Sequence, residues 1–137
     1  MNNYTDHNEK IVTNRIKREK LNYIYINHEL SYNYNNKNFK IIVKGYPFKA
    51  PTNLKVNNNV IDYNKISNKY NKYLNKYFNI HCFCCKSILC ESNWNISYKF
   101  IDICKEYEEF MNIIRYIENF LIIKKRNLIP KEIETNI

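Results

Sequence analysis

Apolar and polar positions change their spacing along the chain, and each change predicts a different kind of element. Residues 9–21 carry apolar side chains at helical spacing with basic residues on the outer face, which predicts an N-terminal helix. Four short segments then alternate or combine β-branched and aromatic residues and predict strands: 23–26, 30–34, 39–44 and 54–56. The short Asn-rich connections between these segments predict an antiparallel meander.

The second half of the chain is irregular at first and strongly helical towards its end. Residues 62–78 have a helical spacing of moderate quality and equally fit an irregular polar segment. Residues 81–94 show no period and hold most of the cysteines, which predicts an extended loop. From Ser97 to Leu121 apolar residues step by three and four, which predicts one long helix, or two with a bend near Met111, ended by Pro130.

This order predicts an α+β fold: an N-terminal helix, a four-stranded antiparallel meander sheet, a cysteine-bearing loop and C-terminal helices. The 137 residues suffice for one compact domain, which we assign to residues 9–129. Residues 1–8 are polar and are predicted to form a disordered tail, and residues 130–137 a C-terminal tail. We expect the protein to be a monomer.

The composition removes two easy functional inferences. Asn, Ile, Lys and Tyr supply 77 of the 137 residues, and codon bias in an AT-rich genome explains such an excess. Neither the Asn content nor the Lys content is therefore evidence for a prion-like tract or for nucleic-acid binding. The net charge of +9 is spread along the chain, apart from one dense run at residues 124–126. We favour a solvated surface, then an acidic protein partner, over nucleic acid stacked on the tyrosines of residues 63–77.

The sequence predicts a cytoplasmic or nuclear protein without a membrane partner. No apolar run approaches the roughly 18 residues that a membrane span needs, and the first ten residues lack a signal-peptide core. Four of the five cysteines crowd into residues 82–90, whereas a disulfide framework would spread them out. We therefore expect reduced thiols.

Two short motifs stand out because they use residue types that are scarce in this chain. The first, Tyr-Pro-Phe-Lys-Ala-Pro at residues 46–51, follows a predicted strand and cannot be regular structure. The second, Cys-Lys-Ser-Ile-Leu, begins at Cys85 and is followed nine positions later by Trp94. Neither motif is specific alone, so their order and distance carry the information.

Together with the Arg-Ile-Lys-Arg-Glu-Lys-Leu stretch at residues 15–21, these motifs resemble the ubiquitin-conjugating enzyme (UBC-like) family over roughly residues 15–121. In that family a helix of Arg-Ile-x-Lys-Glu-Leu type precedes a four-strand meander that ends in Tyr-Pro-Phe-Lys-Pro-Pro. A Cys-Leu-Asp-Ile-Leu or Cys-Leu-Ser-Ile-Leu segment, a Trp-Ser-Pro loop and a crossing helix follow. This chain departs at Ala50 and at Asn95 and Ile96, which stand in place of the Ser-Pro pair.

The resemblance implies that Cys85 accepts ubiquitin or a ubiquitin-like protein as a thioester from an activating enzyme and passes it to a lysine or a ligase. A thiolate suits this step because it is a strong nucleophile at neutral pH. The resemblance implies no cofactor. It also implies two sets of partner-binding residues. The activating enzyme would dock on Arg15, Lys17 and Arg18, and a ubiquitin ligase would contact Pro47, Phe48, Trp94, Asn95 and Ile96.

The His-Pro-Asn tripeptide that supplies the family's oxyanion donor is absent from this sequence. Asn79 is a weak candidate for that role, because Asn is so abundant here that one near the cysteine is expected by chance. A backbone N–H could substitute, or the enzyme is slow or inactive. A catalytically inactive UBC-like adaptor that binds ubiquitin or a ligase therefore stays an alternative.

The cysteine cluster allows a third interpretation, a small zinc-binding module. Cys82, Cys84, Cys85 and Cys90, with His81 beside them, could supply soft ligands for zinc. Most structural zinc sites pair two separated knuckles, and the sequence shows no second one. The simpler interpretation, which we favour, is that Cys82, Cys84 and Cys90 are small buried hydrophobic residues beside one functional thiol.

Overall fold

The computed structural model describes residues 3–126, with side chains from residue 8 onward, and shows an α+β fold. Its helices and strands, in chain order, are α1 (Asn3–Arg18), β1 (Tyr23–Ile26), β2 (Glu29–Tyr34), β3 (Lys37–Ile42), β4 (Thr52–Val56), β5 (Asn59–Val60), α2 (Tyr63–Lys69), α3 (Asn71–Phe78), α4 (Phe83–Lys86) and α5 (Phe100–Lys125). The predicted C-terminal tail and the predicted stop at Pro130 lie outside the described residues.

The sheet is an antiparallel meander in the order β1-β2-β3-β4-β5, one strand more than predicted. The extra strand exists because residues 57 and 58 make the whole turn after β4. Asn57 and Asn58 both have positive φ, 51° and 66°, as a two-residue hairpin turn of type I′ requires. Asn59 therefore already pairs with Val56. Two further turns of this kind join β1 to β2 and β2 to β3, and Asn supplies three of their four positive-φ residues.

One face of the sheet packs against the helices. Leu30 and Tyr32 of β2, Phe39 and Ile41 of β3, and Leu54 and Val56 of β4 alternate with more exposed residues and lie in the core. This alternation is that of an antiparallel sheet with one covered face. Fully buried residues of α1 and α5 complete the core from the helical side: Val12, Ile16, Phe100, Ile103 and Cys104.

The first helix begins at Asn3, six residues before its predicted start. Residues 3–8, which the sequence assigns to a disordered tail, thus form its first two turns. Their polar composition hides the helix from hydrophobic periodicity. The side chain of Asn8 also contacts the rest of the fold, because its amide donates to the Tyr46 carbonyl oxygen at 2.7 Å. The helix ends at Arg18, and Lys20 follows with a φ of 59°.

The second half contains more helix than predicted. Residues 62–78 form two helices, α2 and α3, separated at Tyr70, whose φ and ψ of −112° and 17° interrupt the helical path. The predicted loop at residues 81–94 contains the one-turn helix α4. Helix α5 runs without a break for 26 residues. In the described part of the chain, no helix is both long and apolar enough to cross a membrane.

Candidate functional site

The two sequence motifs meet in the structure. The Tyr46–Pro47 peptide bond is cis, and the indole N–H of Trp94 donates to the Pro47 carbonyl oxygen at 2.7 Å. The Tyr46 and Trp94 rings also lie 6.1 Å apart between centroids, within the range of aromatic pairs. Trp94 therefore ties the turn at residues 46–51 to the segment that follows the cysteines, across 47 positions of sequence.

Arg15 of α1 also contacts the turn at residues 46–51 and the segment after Trp94. Its guanidinium donates to the Tyr46 hydroxyl at 2.9 Å, lies 5.3 Å from the centre of the Tyr46 ring and donates to the Ile96 carbonyl oxygen. Both bonds use the head group, so Arg15 holds three chain segments together. Lys17 and Arg18 are exposed on the neighbouring part of α1.

These ties hold a surface that we call the turn surface, made of the exposed residues Phe48, Asn95 and Ile96 and the half-buried Trp94. The Phe48 side chain is 80% exposed and that of Ile96 is 49% exposed. Asn95 shapes the segment, because its side-chain oxygen accepts hydrogen bonds from the Ser97 N–H at 2.9 Å and the Ser97 hydroxyl at 2.7 Å. Pro47 is buried beneath the surface and contributes its carbonyl rather than its ring. The structure thus groups the residues predicted to contact a ligase.

Cys85 is exposed and lies in α4, which is held at its start by one buried anchor. Phe83 is fully buried, and its ring stacks on Phe110 of α5 with 4.0 Å between centroids. Its backbone N–H donates to the buried Ser67 hydroxyl of α2 at 2.8 Å. The anchor therefore fixes the backbone that carries the cysteines on either side of Phe83.

The Ser-Ile-Leu part of the cysteine motif is a connection to α5. The Ser87 hydroxyl donates to the Glu106 carboxylate, which also accepts the Ile88 N–H at 2.9 Å. The Leu89 N–H donates to the Ser87 hydroxyl oxygen at 3.0 Å. Burial raises the pKa of the Glu106 carboxyl above its ordinary value, against the opposing effect of these hydrogen bonds. Ser87 and Glu106 thus hold the chain just after Cys85.

Asn93 holds the other side of Cys85, and sequence reasoning missed it. Its side-chain amide donates to the Cys85 carbonyl oxygen at 2.7 Å and to the Ser87 carbonyl oxygen at 3.0 Å. No signal in the sequence marks this residue, because Asn occupies 25 of the 137 positions. The position of Cys85 is thus set from both directions.

Asn79, the candidate oxyanion donor, lies at the end of α3 and not in the segment that holds Cys85. It is the C-cap of α3, exposed, with a left-handed φ of 53°. Asn tolerates that conformation better than most residues, which explains its presence there. In the described residues no hydrogen bond joins Asn79 to Cys85 or to the segment around it.

The thiols differ from the expected reduced set, because Cys82 and Cys84 form a disulfide. The prediction of reduced thiols rested on the absence of widely spaced pairs of cysteines. Here Cys82 is extended and directly precedes α4, which contains Cys84. That local geometry brings the two Cα atoms to 5.4 Å, within the usual range for a disulfide. Cys85 Sγ lies 3.9 Å from Cys84 Sγ. We call Cys82, Cys84 and Cys85, whose sulfurs all lie within 4.8 Å of one another, the thiol cluster.

The fourth predicted zinc ligand, Cys90, does not belong to that cluster. Its thiol lies 3.2 Å from the Ser92 hydroxyl, and this hydrogen bond lowers the pKa of Cys90. Cys104 is buried in the core, and burial raises its thiol pKa to about 12. Cys85 and Cys90 are therefore the two thiols accessible for chemistry in the oxidised protein, with Cys85 the more exposed.

Comparison with known proteins adds no assignment: no family model, no curated protein and no solved structure matches this chain.

Proposed function

We propose that the chain is a divergent UBC-like protein that accepts ubiquitin, or a ubiquitin-like protein, as a thioester on Cys85. The observation that carries the proposal is the hydrogen bond from the Trp94 indole to the Pro47 carbonyl oxygen. It joins the two motifs on which the family resemblance rests, as expected if both contribute to the one ligase-contact surface that the resemblance implies. Chance likeness of two unrelated motifs would not require such contact.

The order of elements supports the same proposal. A helix, an antiparallel meander, a cysteine segment and a long final helix follow one another in the chain. The Pro-containing turn lies inside the meander, between β3 and β4, rather than at its end, and α2 and α3 stand between the sheet and the cysteine segment. Glu19, in the stretch that resembles the family's first helix, also accepts the N–H groups of Phe100 and Ile101 at 3.0 and 2.7 Å. That stretch therefore caps α5, so the first and the last segments of the chain that resemble the family are in direct contact.

The proposed chemistry is transfer of one acyl group between thiols. The Cys85 thiolate attacks the modifier's C-terminal carbonyl carbon on the activating enzyme, a new C–S bond forms, and the enzyme's own thiolate leaves. A lysine amine, or a ligase thiol, then attacks the same carbon and Cys85 leaves as a thiolate. Exposure of Cys85 suits both steps, because the two partners are proteins.

The expected rate is low. Each tetrahedral intermediate develops an oxyanion, and loss of one oxyanion donor typically costs about 10²–10³ in rate. Asn79 caps α3, and the Asn93 amide already donates to two carbonyl oxygens. The proposal therefore assigns stabilisation of the oxyanion to backbone N–H groups.

The test is a thioester assay on the full chain, reduced beforehand with a phosphine that leaves thioesters intact. Incubation with activating enzyme, ATP and ubiquitin should give an adduct on a non-reducing gel that a thiol reagent removes. In Cys85→Ser the adduct should become an ester that resists thiol and is cleaved by base. Cys90→Ser, the matched control in the same segment, should keep the thiol-sensitive adduct. An adduct that persists unchanged in Cys85→Ala would overturn the assignment.

An inactive adaptor of the same fold is the second candidate, and the turn surface favours it. Phe48 and Ile96 are exposed apolar side chains on a surface that Trp94 and Arg15 hold fixed, an arrangement typical of a protein-binding site. No adduct in the assay, together with binding of ubiquitin or a ligase that Phe48→Ala weakens, would favour this candidate over the first.

A further inference from the structure

The thiol cluster has part of the spacing of ligands around one metal ion: the Cys84 and Cys85 sulfurs stand apart as two ligands would, whereas the Cys82 sulfur is bonded to that of Cys84 and separates from it only on reduction. Its three sulfurs lie within 4.8 Å of one another, and the Cys84 and Cys85 sulfurs are 3.9 Å apart. In a tetrahedral site with zinc–sulfur bonds of about 2.3 Å, neighbouring sulfurs are separated by about 3.8 Å. Cys84 and Cys85 therefore already stand at the edge length of such a tetrahedron.

A fourth donor faces the cluster from α2. The side-chain oxygen Oδ1 of Asn64 lies 3.9 Å from the Cys82 sulfur and 3.9 Å from the Cys84 sulfur. A sulfur and an oxygen that share a tetrahedral zinc ion are about 3.6 Å apart, so a small movement brings Asn64 into range. Asn64 is also one helical turn before Ser67, whose hydroxyl accepts the Phe83 N–H at 2.8 Å.

The hydrogen bond from Phe83 to Ser67 helps to preorganise the backbone of the thiol cluster, so the ion does not have to order a flexible loop. Phe83 is fully buried between Cys82 and Cys84 and is fixed to both α2 and α5. The backbone positions of Cys82 and Cys84, on either side of Phe83, are therefore fixed as well. A site whose ligands are held in place binds with a smaller cost in conformational entropy.

We propose that the thiol cluster binds one Zn²⁺ ion when the Cys82–Cys84 disulfide is reduced, with Asn64 Oδ1 as the fourth ligand. A dithiol reductant supplies two electrons and two protons to the S–S bond and itself becomes a disulfide. Zinc then displaces the three thiol protons and forms three Zn–S bonds. Cys90, which the sequence offered as a ligand, takes no part.

Zinc and the modifier then compete for one sulfur, a consequence that rests on the proposed function, whereas zinc binding itself does not. In the oxidised protein Cys85 is free, while in the reduced and zinc-bound protein it is a ligand and cannot attack a carbonyl carbon. Removal of zinc by a chelator should therefore speed adduct formation by the reduced protein.

The experiment is a zinc titration of the full chain, reduced with a phosphine and freed of metal, in competition with a chromophoric chelator. We expect one zinc per chain, and Co²⁺ in its place should give the intense thiolate-to-cobalt absorption of a three-sulfur site. Cys82→Ser and Cys84→Ser should lose stoichiometric binding, and the matched control Cys90→Ser should keep it. Asn64→Asp should bind more tightly than the native chain, because a carboxylate is the better zinc ligand.

Two outcomes would overturn the proposal: no stoichiometric zinc in the reduced native chain, or equal loss in Cys90→Ser and Cys84→Ser. Circular dichroism of each variant shows whether it is folded, and the variants alter side chains outside the core. Cys84→Ser also separates the two proposals, because it should lose zinc and keep the thioester on Cys85. A chain that binds zinc but never forms the adduct would contradict the proposed function alone.

Discussion

The turn surface and the thiol cluster lie on one domain, yet they are built in opposite ways. The turn surface joins three distant parts of the chain through side chains that bond to carbonyl oxygens, Trp94 to Pro47 and Arg15 to Ile96. The thiol cluster comes from four consecutive residues around one buried ring, Phe83. The first keeps two residue types of the resembled family, at Phe48 and Trp94, whereas the second departs from the family in its extra thiols and its missing amide donor.

This difference indicates that the turn surface and the thiol cluster can change separately. Apart from the Trp94 indole, the ties beneath the turn surface do not use its side chains, because they end on the backbone carbonyl oxygens of Pro47 and Ile96. The position of Cys85 likewise depends on Phe83, Glu106 and Asn93, and on no contact with the turn surface in the described residues. Mutations that affect one region and spare the other test this separation.

The largest expected effect is that of Phe83→Ala, which removes the anchor of the thiol cluster. Truncation of a fully buried Phe leaves a cavity and typically costs about 3–5 kcal/mol in the free energy of unfolding. Denaturant unfolding followed by the fluorescence of Trp94, the single tryptophan, measures it. A cost below about 1 kcal/mol would contradict the packing described for α4.

Several features of these regions could be predicted from the sequence, and the rest could not for physical reasons. The period of α5 and the alternation of β2 were visible because burial on one face imposes a spacing. The fifth strand was missed because the two-residue Asn57–Asn58 turn looks, in so Asn-rich a chain, like the start of a longer loop. The disulfide depends on the local path into α4, which sequence spacing does not determine.

The sequence predicted the residues of the turn surface and the basic face of α1 as partner contacts, and both stay predictions. Nothing in the sequence indicated that Arg15 also bonds within the chain. Charge patterns report which residues can be exposed, and only the fold decides which of them meet a carbonyl oxygen. Lys17 and Arg18 stay available for the predicted contact with an activating enzyme.

An intermediate effect, dependent on pH, is expected for Glu106→Gln. Glutamine keeps one of the two acceptor oxygens that serve Ser87 and Ile88, so the variant should lose about 1 kcal/mol at neutral pH. Burial raises the pKa of Glu106 in the folded state, so the folded protein holds this proton more tightly than the unfolded chain does. The stability that this group contributes is therefore present below the unfolded value and is lost as pH rises through the folded value.

The measurement is the free energy of unfolding of both proteins from neutral pH down to about pH 4.5, the ordinary value for a glutamate. The advantage of the native chain over Glu106→Gln should grow as the pH falls. Burial raises the pKa of Glu19 as well, but Glu19 is present in both proteins and its effect cancels in the difference. An advantage that shrinks in acid would show that hydrogen bonds to the carboxylate outweigh its burial.

The smallest expected effect on stability is that of Phe48→Ala, the same substitution as Phe83→Ala made on the turn surface. Phe48 is 80% exposed, so its removal should change the free energy of unfolding by less than about 0.5 kcal/mol. The fluorescence of Trp94 should also be unchanged, since the indole bonds to the carbonyl of Pro47 and not to the Phe48 ring. A large loss of stability would show that the Phe48 ring belongs to the fold and is not free to contact a partner. An unchanged free energy of unfolding would show that the Phe48 ring does not stabilise the fold, as expected of a residue that contacts a partner.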